Sequence, residues 1–205
     1  MKKLFLSFFA LFLSLGLSAS HFIGGEITWK CTSTGEYVFY MNIFRDCSGI
    51  PSAFVNETIT ISGSPLPSNG VTSIVMKPDS SVFVATNNGD LSAHCSSSYG
   101  SQLSCHAGDF GVLQLLPYLS DPIRLTGTLP TTGWNFSIAL QCCLSNRLIN
   151  VFPRVPSGSA VLRSTMYPYQ NRNVDTCFYS SPKFVEVPSS HFCRGDLVSY
   201  SNRAT

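Results

Sequence analysis

The side chains in this chain that are best equipped for chemistry are sulfur and imidazole. Eight cysteines (Cys31, Cys47, Cys95, Cys105, Cys142, Cys143, Cys177 and Cys193) accompany four histidines. His94-Cys95 and Cys105-His106 form a mirrored pair that can be drawn as a zinc site. Their spacing argues against it. Structural zinc sites gather ligands as C-x2-4-C and H-x3-5-H, and cysteines of exported proteins are normally oxidised. Disulfides are the expected state, with more pairings open than spacing can choose among. Cys95 and Cys105 bracket the polar stretch SSSYGSQLS and could close a small surface loop worth about 3 kcal/mol. Cys142 and Cys143 are adjacent; on a strand they point to opposite faces, so different partners are expected for them. A bond between the two would demand a strained geometry and would signal redox chemistry.

Other chemistries find less support. A serine nucleophile needs a base, an orienting acid and a turn such as G-x-S-x-G, and that turn is absent. The 11 acidic residues are dispersed, and a glycosidase carboxylate pair forms only in three dimensions. Asp46, Asp90, Asp109 and Asp121 lack calcium-loop spacing. Gly24-Gly25 precedes a strand rather than a helix N-terminus, which excludes a phosphate-binding loop. Asn56-Glu57-Thr58 and Asn135-Phe136-Ser137 match the N-glycosylation pattern, a frequent chance match in a chain rich in Ser and Thr. No catalytic, cofactor-binding or metal-ligating residue is assigned. The expectation is a non-enzymatic protein without a cofactor.

Oxidised cysteines require export, and the first residues supply the signal. Lys2 and Lys3 precede an apolar run, Leu4 to Leu17, and a small-residue exit at Ser18, Ala19 and Ser20, as in a cleaved secretory leader. The run is shorter than the roughly 20 residues that cross a bilayer, and no later segment is long and apolar enough to do so. No cysteine sits at the cleavage zone, which argues against a lipid anchor. Cleavage removes two of 13 basic residues and leaves charge balance against 11 acidic ones. Nucleic acid is therefore an improbable partner, because a phosphate backbone calls for a concentrated basic stripe. Charged residues are only 12% of the chain, against about 25% in an ordinary soluble domain. Hydroxyl-rich surfaces with abundant Phe, Tyr and β-branched residues suit an extracellular β-protein.

The elements that must position these groups read as strands. In WNFSIALQCC, Trp134, Phe136, Ile138, Leu140 and Cys142 share one face and Asn135, Ser137, Ala139, Gln141 and Cys143 the other, the pattern of a half-buried strand. In EYVFYMNIFRDC, Tyr37, Phe39, Met41 and Ile43 are matched by Val38, Tyr40 and Phe44 on the opposite face, which predicts a central strand covered on both sides. ETITIS, VTSIVM, SVFVAT, FGVLQLL, IRLTGTL, AVLRSTMY, PKFVEV and DLVSY are further candidates, punctuated by SGSPLPSNG, TNNGD and TLPTTGW. Sustained helical periodicity is absent after the leader. The prediction is an all-β fold, an antiparallel β-sandwich stapled by disulfides. A leader at 1–20, a sandwich module at 21–181 and a new start from Pro182 at 182–205 complete the predicted organisation.

Four blocks in order, HFIGGEITWKC, GEYVFYMNIFRDCSG, TGWNFSIALQCC and SSPKFVEVPSSHFCRGDLVSYSNRAT, resemble the N-terminal region of very large secreted surface proteins of Bacteroidota associated with gliding motility and type IX secretion. His21, Gly24, Gly25 and Glu26 fit the opening motif of that group. Arg45, Asp46 and Cys47 fit a strand-end motif, and Gly133, Trp134, Cys142 and Cys143 fit a third. Phe44 stands where tyrosine is usual, and Leu144-Ser145-Asn146 replaces an arginine-asparagine. The resemblance implies that residues 182–205 open an immunoglobulin-like or cadherin-like repeat, which in such proteins continues into an aspartate-rich stretch. It also implies an adhesive or structural surface module. Expected partners are neighbouring surface-protein repeats, other surface components or glycans. In an alternative carbohydrate-binding module, Trp29, Tyr99 or Tyr118 would stack on sugar rings; a secreted hydrolase would need converging acids or a Ser-His pair.

Overall fold

A computed structural model describes residues 21–48, 54–92, 103–107, 112–140, 160–170, 172, 174–188, 192–193, 195, 197–199, 201 and 203–205. The leader, His94, Cys95, Tyr99, Cys142 and Cys143 lie outside the described residues. Seven strands form: β1 (His21–Cys31), β2 (Tyr37–Asp46), β3 (Glu57–Ser62), β4 (Ser73–Pro78), β5 (Leu113–Leu119), β6 (Trp134–Leu140) and β7 (Ala160–Met166). All pairings are antiparallel, in the order β1-β2-β5-β4-β3-β6-β7. The β4–β5 junction is only two residue pairs long, Lys77 with Leu119 and Pro78 with Tyr118. The sheet folds at this short junction into two layers, a β-sandwich.

Alternation explains what fills the space between the layers. Ile27 and Trp29 of β1, Tyr37, Phe39, Met41 and Ile43 of β2, and Tyr118 of β5 are buried from one side. Ile59 and Ile61, Ile74 and Met76, and Trp134, Phe136 and Ile138 are buried from the other. Phe39 meets Phe136 with ring centroids 4.7 Å apart, and Trp29 meets Phe136 at 5.8 Å. Such tilted aromatic pairs contribute about 0.5–1.5 kcal/mol beyond area burial. The β3–β6 layer keeps a polar outer face, with Thr58, Thr60 and Ser62 exposed.

Three expected strands are not strands, and a fourth shows none among its described residues. SVFVAT forms a short helix, α1 (Ser80–Ala85), because the Asp79 side chain accepts a hydrogen bond from Val82 N at 3.1 Å and caps the turn. A satisfied N-cap outweighs the β-propensity of two valines here. IRLTGTL contributes a lone bridge between Ile123 and Tyr37 and runs otherwise as irregular chain, with Leu125 and Leu129 buried in the core. Gly127 at φ 108° takes a conformation that breaks a strand. PKFVEV likewise contributes one bridge, Phe184 with Ala204, and the described residues of DLVSY carry no strand.

Two disulfides join described residues: Cys31 to Cys177 across 146 residues, and Cys47 to Cys105 across 58. Cys105 therefore does not close a loop with Cys95. Sequence spacing favoured the nearer cysteine, whereas the end of β2 brings Cys47 beside the turn Cys105–Ala107. Cys193 is also disulfide-bonded. Taken alone, loops of this length would each contribute on the order of 4–5 kcal/mol through chain entropy.

The two glycines of the opening motif differ sharply. A Cβ on Gly25 would come within 2.5 Å of the Asn42 carbonyl oxygen on β2 and 2.7 Å of Leu162 Cδ1 on β7, whereas one on Gly24 would meet nothing within 4 Å. Gly25→Ala is expected to cost about 1–3 kcal/mol by overpacking, and Gly24→Ala far less; urea unfolding of both variants checks this, and equal losses would contradict the packing account. Non-reducing peptide mapping of the protein should recover Cys31–Cys177 and Cys47–Cys105. A Cys95–Cys105 peptide would refute this pairing.

Candidate functional site

The two faces of β1, β2 and β5 divide the work. While the inner face fills the core, the outer face presents Tyr40, Asn42 and Phe44 of β2. Register places Thr28, Glu26 and Gly24 of β1 across from them on one side, and Leu119, Pro117 and Leu115 of β5 on the other. The expected apolar second face on β2 is present, with Phe44 buried and Tyr40 38% exposed. Above it lies a groove of about 820 Å³. Its walls are Asp79 and Val82 from the start of α1, and Lys183, Phe184, Glu186, Val187, Pro188 and Thr205 from the C-terminal segment.

That segment is tethered across β1. Ser181 N donates to the Trp29 carbonyl at 2.9 Å, and the Ser181 hydroxyl accepts from Trp29 N at 2.8 Å. The Ser180 hydroxyl accepts from Cys31 N at 3.2 Å, next to the Cys31–Cys177 disulfide. Lys183 and Thr205 exchange two backbone hydrogen bonds at 2.9 and 3.0 Å, so a short ribbon forms the wall.

On the groove floor Asn42 Nδ2 donates to Glu26 Oε1 at 2.8 Å. The second carboxylate oxygen, Oε2, is buried and has no hydrogen-bond partner, as is the indole Nε1 of Trp29. Buried polar atoms are normally paired, and an orphaned acceptor costs more than an unmade bond at the surface. Glu26 is thus the one described carboxylate with a buried oxygen left without a donor. The sequence signal for it was the H-x-x-G-G-E block, in which Glu26 had no role of its own.

Trp29 and Tyr118, the candidate sugar-stacking residues, border the groove but are 3% and 2% exposed. Both project to the inner face by alternation, so they serve the core and form no exposed strip. Burial, followed by the field of Glu57, pushes the Tyr118 hydroxyl up to about 12. The exposed aromatics of the groove are Tyr40 and Phe184 instead, and away from it Tyr167 and Tyr169 are 59% and 54% exposed, with the Tyr169 ring centroid 6.4 Å from that of Tyr179. Tyr169 was missed because it falls in the loop after β7, where alternation gives no guidance, and Tyr167 because AVLRSTMY reads as a strand that includes it, whereas β7 stops at Met166.

The second polar cluster closes the other end of β2. Arg45 is buried, and its Nε donates to Gln114 Oε1 at 2.6 Å, while Gln114 Nε2 donates to the Asn88 carbonyl at 2.9 Å. Burial lowers the Arg45 pKa, and neighbouring Asp46 works against that shift. Asp46 Oδ1 accepts from Ser48 N and Oγ at 2.9 and 2.8 Å. Asp90 accepts from Ser92 N and Oγ, from Ser104 Oγ and from Cys105 N. This ties the disulfide loop to the β-layer. Cys105 being oxidised removes it as a zinc ligand, and among the described residues no three His, Cys, Asp or Glu side chains converge on one point.

Fold and site together define a disulfide-stapled antiparallel β-sandwich with a groove on one outer face. In comparisons with protein-family models, with curated proteins and with solved structures, the chain matches none of them. Among the described residues no helix is long and apolar enough to cross a membrane. The disulfides fit a secreted or extracellular protein.

Asp90 carries a pH dependence of known sign. Burial alone would raise its carboxyl, but the hydrogen bonds from Ser92, Cys105 and Ser104 outweigh burial and hold the pKa below the usual value of 3.8. The resulting stabilisation is complete above the unfolded pKa and disappears as pH falls through the lower folded value. Asp90→Asn should lower the urea midpoint at pH 7 and flatten its decline below about pH 4. An unchanged acid slope in the variant would show that Asp90 does not carry it.

Proposed function

We propose that this chain is a non-enzymatic structural and adhesion module of the extracellular face, the N-terminal cap of a surface protein of the gliding-motility type. The observation that carries this is the covalent clamp between the first strand and the segment leaving the sandwich. Cys31 and Cys177 are joined, and immediately beyond, Ser180 and Ser181 bond the edge of β1. Tension applied beyond residue 181 meets the Ser180 and Ser181 bonds first and then this covalent link to Cys31. The same contacts cover the Trp29–Cys31 end of an edge strand that would otherwise offer unpaired backbone there. Both properties suit the end module of an extended β-array outside the cell. The four ordered sequence blocks that resemble the N-terminal region of gliding-associated surface proteins point the same way.

A carbohydrate-binding module is the second reading, supported by the exposed Tyr167 and Tyr169 beside Tyr179. Stacking on a sugar asks for such accessible rings, and beside them Gln170 Nε2 donates to the Tyr169 hydroxyl at 3.2 Å.

Antibodies raised against residues 21–205 should label intact, unpermeabilised cells of the source organism, and deletion of the gene should reduce surface attachment or spreading. Labelling only after permeabilisation, or a deletion strain that attaches and spreads normally, would overturn the surface-module reading. A glycan array read with the wild-type chain and with Tyr169→Ala separates the second reading: binding lost in the variant would favour it.

A further inference from the structure

We propose that the groove over β1 and β2 receives an extended segment of a partner protein that sets a lysine or arginine side chain onto Glu26. This inference rests on the surface-module reading and names the chemistry of its partner.

Three observations select that occupant. First, a volume of about 820 Å³ falls within the range of about 300–1,000 Å³ typical of ligand sites. Phe44, Leu115, Pro117, Val82 and Val187 make its lining largely apolar. Second, β1 ends the sheet order, and among the described residues its outer edge is hydrogen-bonded only at Trp29 and Cys31, by Ser181 and Ser180. By alternation, the backbone groups of Ile27 and Gly25 face the same edge. A smaller cleft of about 350 Å³ runs beside them, between Gly25–Trp29 and Arg163–Thr165 of β7. An extended peptide laid along a strand edge makes backbone hydrogen bonds and sends alternate side chains to one face. Third, Glu26 lines both cavities and carries the buried oxygen without a donor.

The charge follows from Glu26. Lys30, Lys183, Asp79 and Glu186 also border the groove, two of each sign, so they set no preference; Lys183 and Arg163 border the smaller cleft, and neither forms an ion pair with Glu26. Lys183 does not neutralise Glu26; the ion pair found among the described residues is Lys77 with Asp121. A cationic side chain that donates to Oε2 satisfies the buried acceptor while its apolar neighbours fill the walls, and charge-assisted bonds of this kind are the stronger sort. A lipid chain would leave that carboxylate desolvated and unpaired. A sugar would leave the apolar Leu115, Pro117, Val82 and Val187 walls without a matching surface.

The test is selection of a random heptapeptide display library against the full mature chain, with the Glu26→Gln chain as counter-target. Enriched peptides should alternate apolar residues around a central Lys or Arg. They should bind wild type about tenfold more tightly than Glu26→Gln, as expected for the loss of one close charge pair. Phe184→Ala alters an exposed groove wall without touching the core; it should weaken the same peptides and stands in if Glu26→Gln fails to fold. No enrichment, enrichment without a basic residue, or equal binding to wild type and variants overturns the proposal. If peptide capture fails while surface labelling and the deletion phenotype hold, the groove assignment falls and the surface-module reading survives.

Discussion

The contact of Phe39 with Phe136 is the constraint on which the rest of this molecule depends. The two layers of the sandwich share a junction only two residue pairs long, so backbone hydrogen bonding alone does little to fix their stacking. Aromatic rings from β2, β6 and β1 meet across the gap instead, with Trp29 completing the cluster at 6.1 Å from Phe39 and 5.8 Å from Phe136. Side chains on a strand alternate, so pointing Phe39 inward fixes the direction of every neighbour on β2. Tyr40, Asn42 and Phe44 are thereby committed to the outer face. The groove floor is a consequence of how the core packs.

Covalent and polar contacts then close the two ends of β2 in different ways. At one end Cys31, Cys177, Ser180 and Ser181 clamp the exit segment across β1. Cys47, Cys105 and the Asp90 hydrogen bonds fasten a loop at the other end, beside the buried Arg45–Gln114 pair. Both ends use the same logic. A disulfide limits how far the chain can open, and nearby hydrogen bonds satisfy the backbone groups that the irregular chain exposes. The consecutive Arg45, Asp46 and Cys47 are best understood as this fastening. Each side chain has a structural partner, which explains why three residues capable of chemistry stand side by side without forming a reactive site.

The C-terminal segment supplies what the sandwich lacks. Residues Lys183–Pro188, with Thr205, turn a flat outer face into a concave one, and the ribbon bonds between Lys183 and Thr205 hold that wall in shape. The lining starts earlier, at Ser180 and Ser181, which bond β1. The segment also leaves Phe184, Val185 and Val187 about half exposed, an apolar surface at the rim of the groove. A rim of that kind is what a protein partner can cover and what a soluble sugar does not need.

Much of this architecture was legible in residue order, because a strand buried on one face must alternate. ETITIS and WNFSIAL became β3 and β6, and the double-sided apolar pattern of β2 marked it as a strand inside its layer. Alternation failed where a local competitor was stronger. The Asp79 cap turned SVFVAT into a helix, and Gly127 broke IRLTGTL. Oxidised cysteines were foreseeable from the leader, but their partners were not. Cys47 and Cys105 lie 58 residues apart in sequence and 5.1 Å apart at Cα, a proximity that only the completed layers create. The candidate site follows the same division. The sequence by itself made Gly25 and Glu26 neighbours and put Gly24-Gly25 ahead of a strand; the structure runs β1 through both glycines, which sets Gly25 and Glu26 on opposite faces. Only the tertiary structure decided that Gly25 must lack a side chain against Asn42 and Leu162, and that Glu26 Oε2 is buried without a donor in a groove walled by the other end of the chain. Local pattern fixes the direction of a side chain, whereas burial depends on what distant segments bring over it.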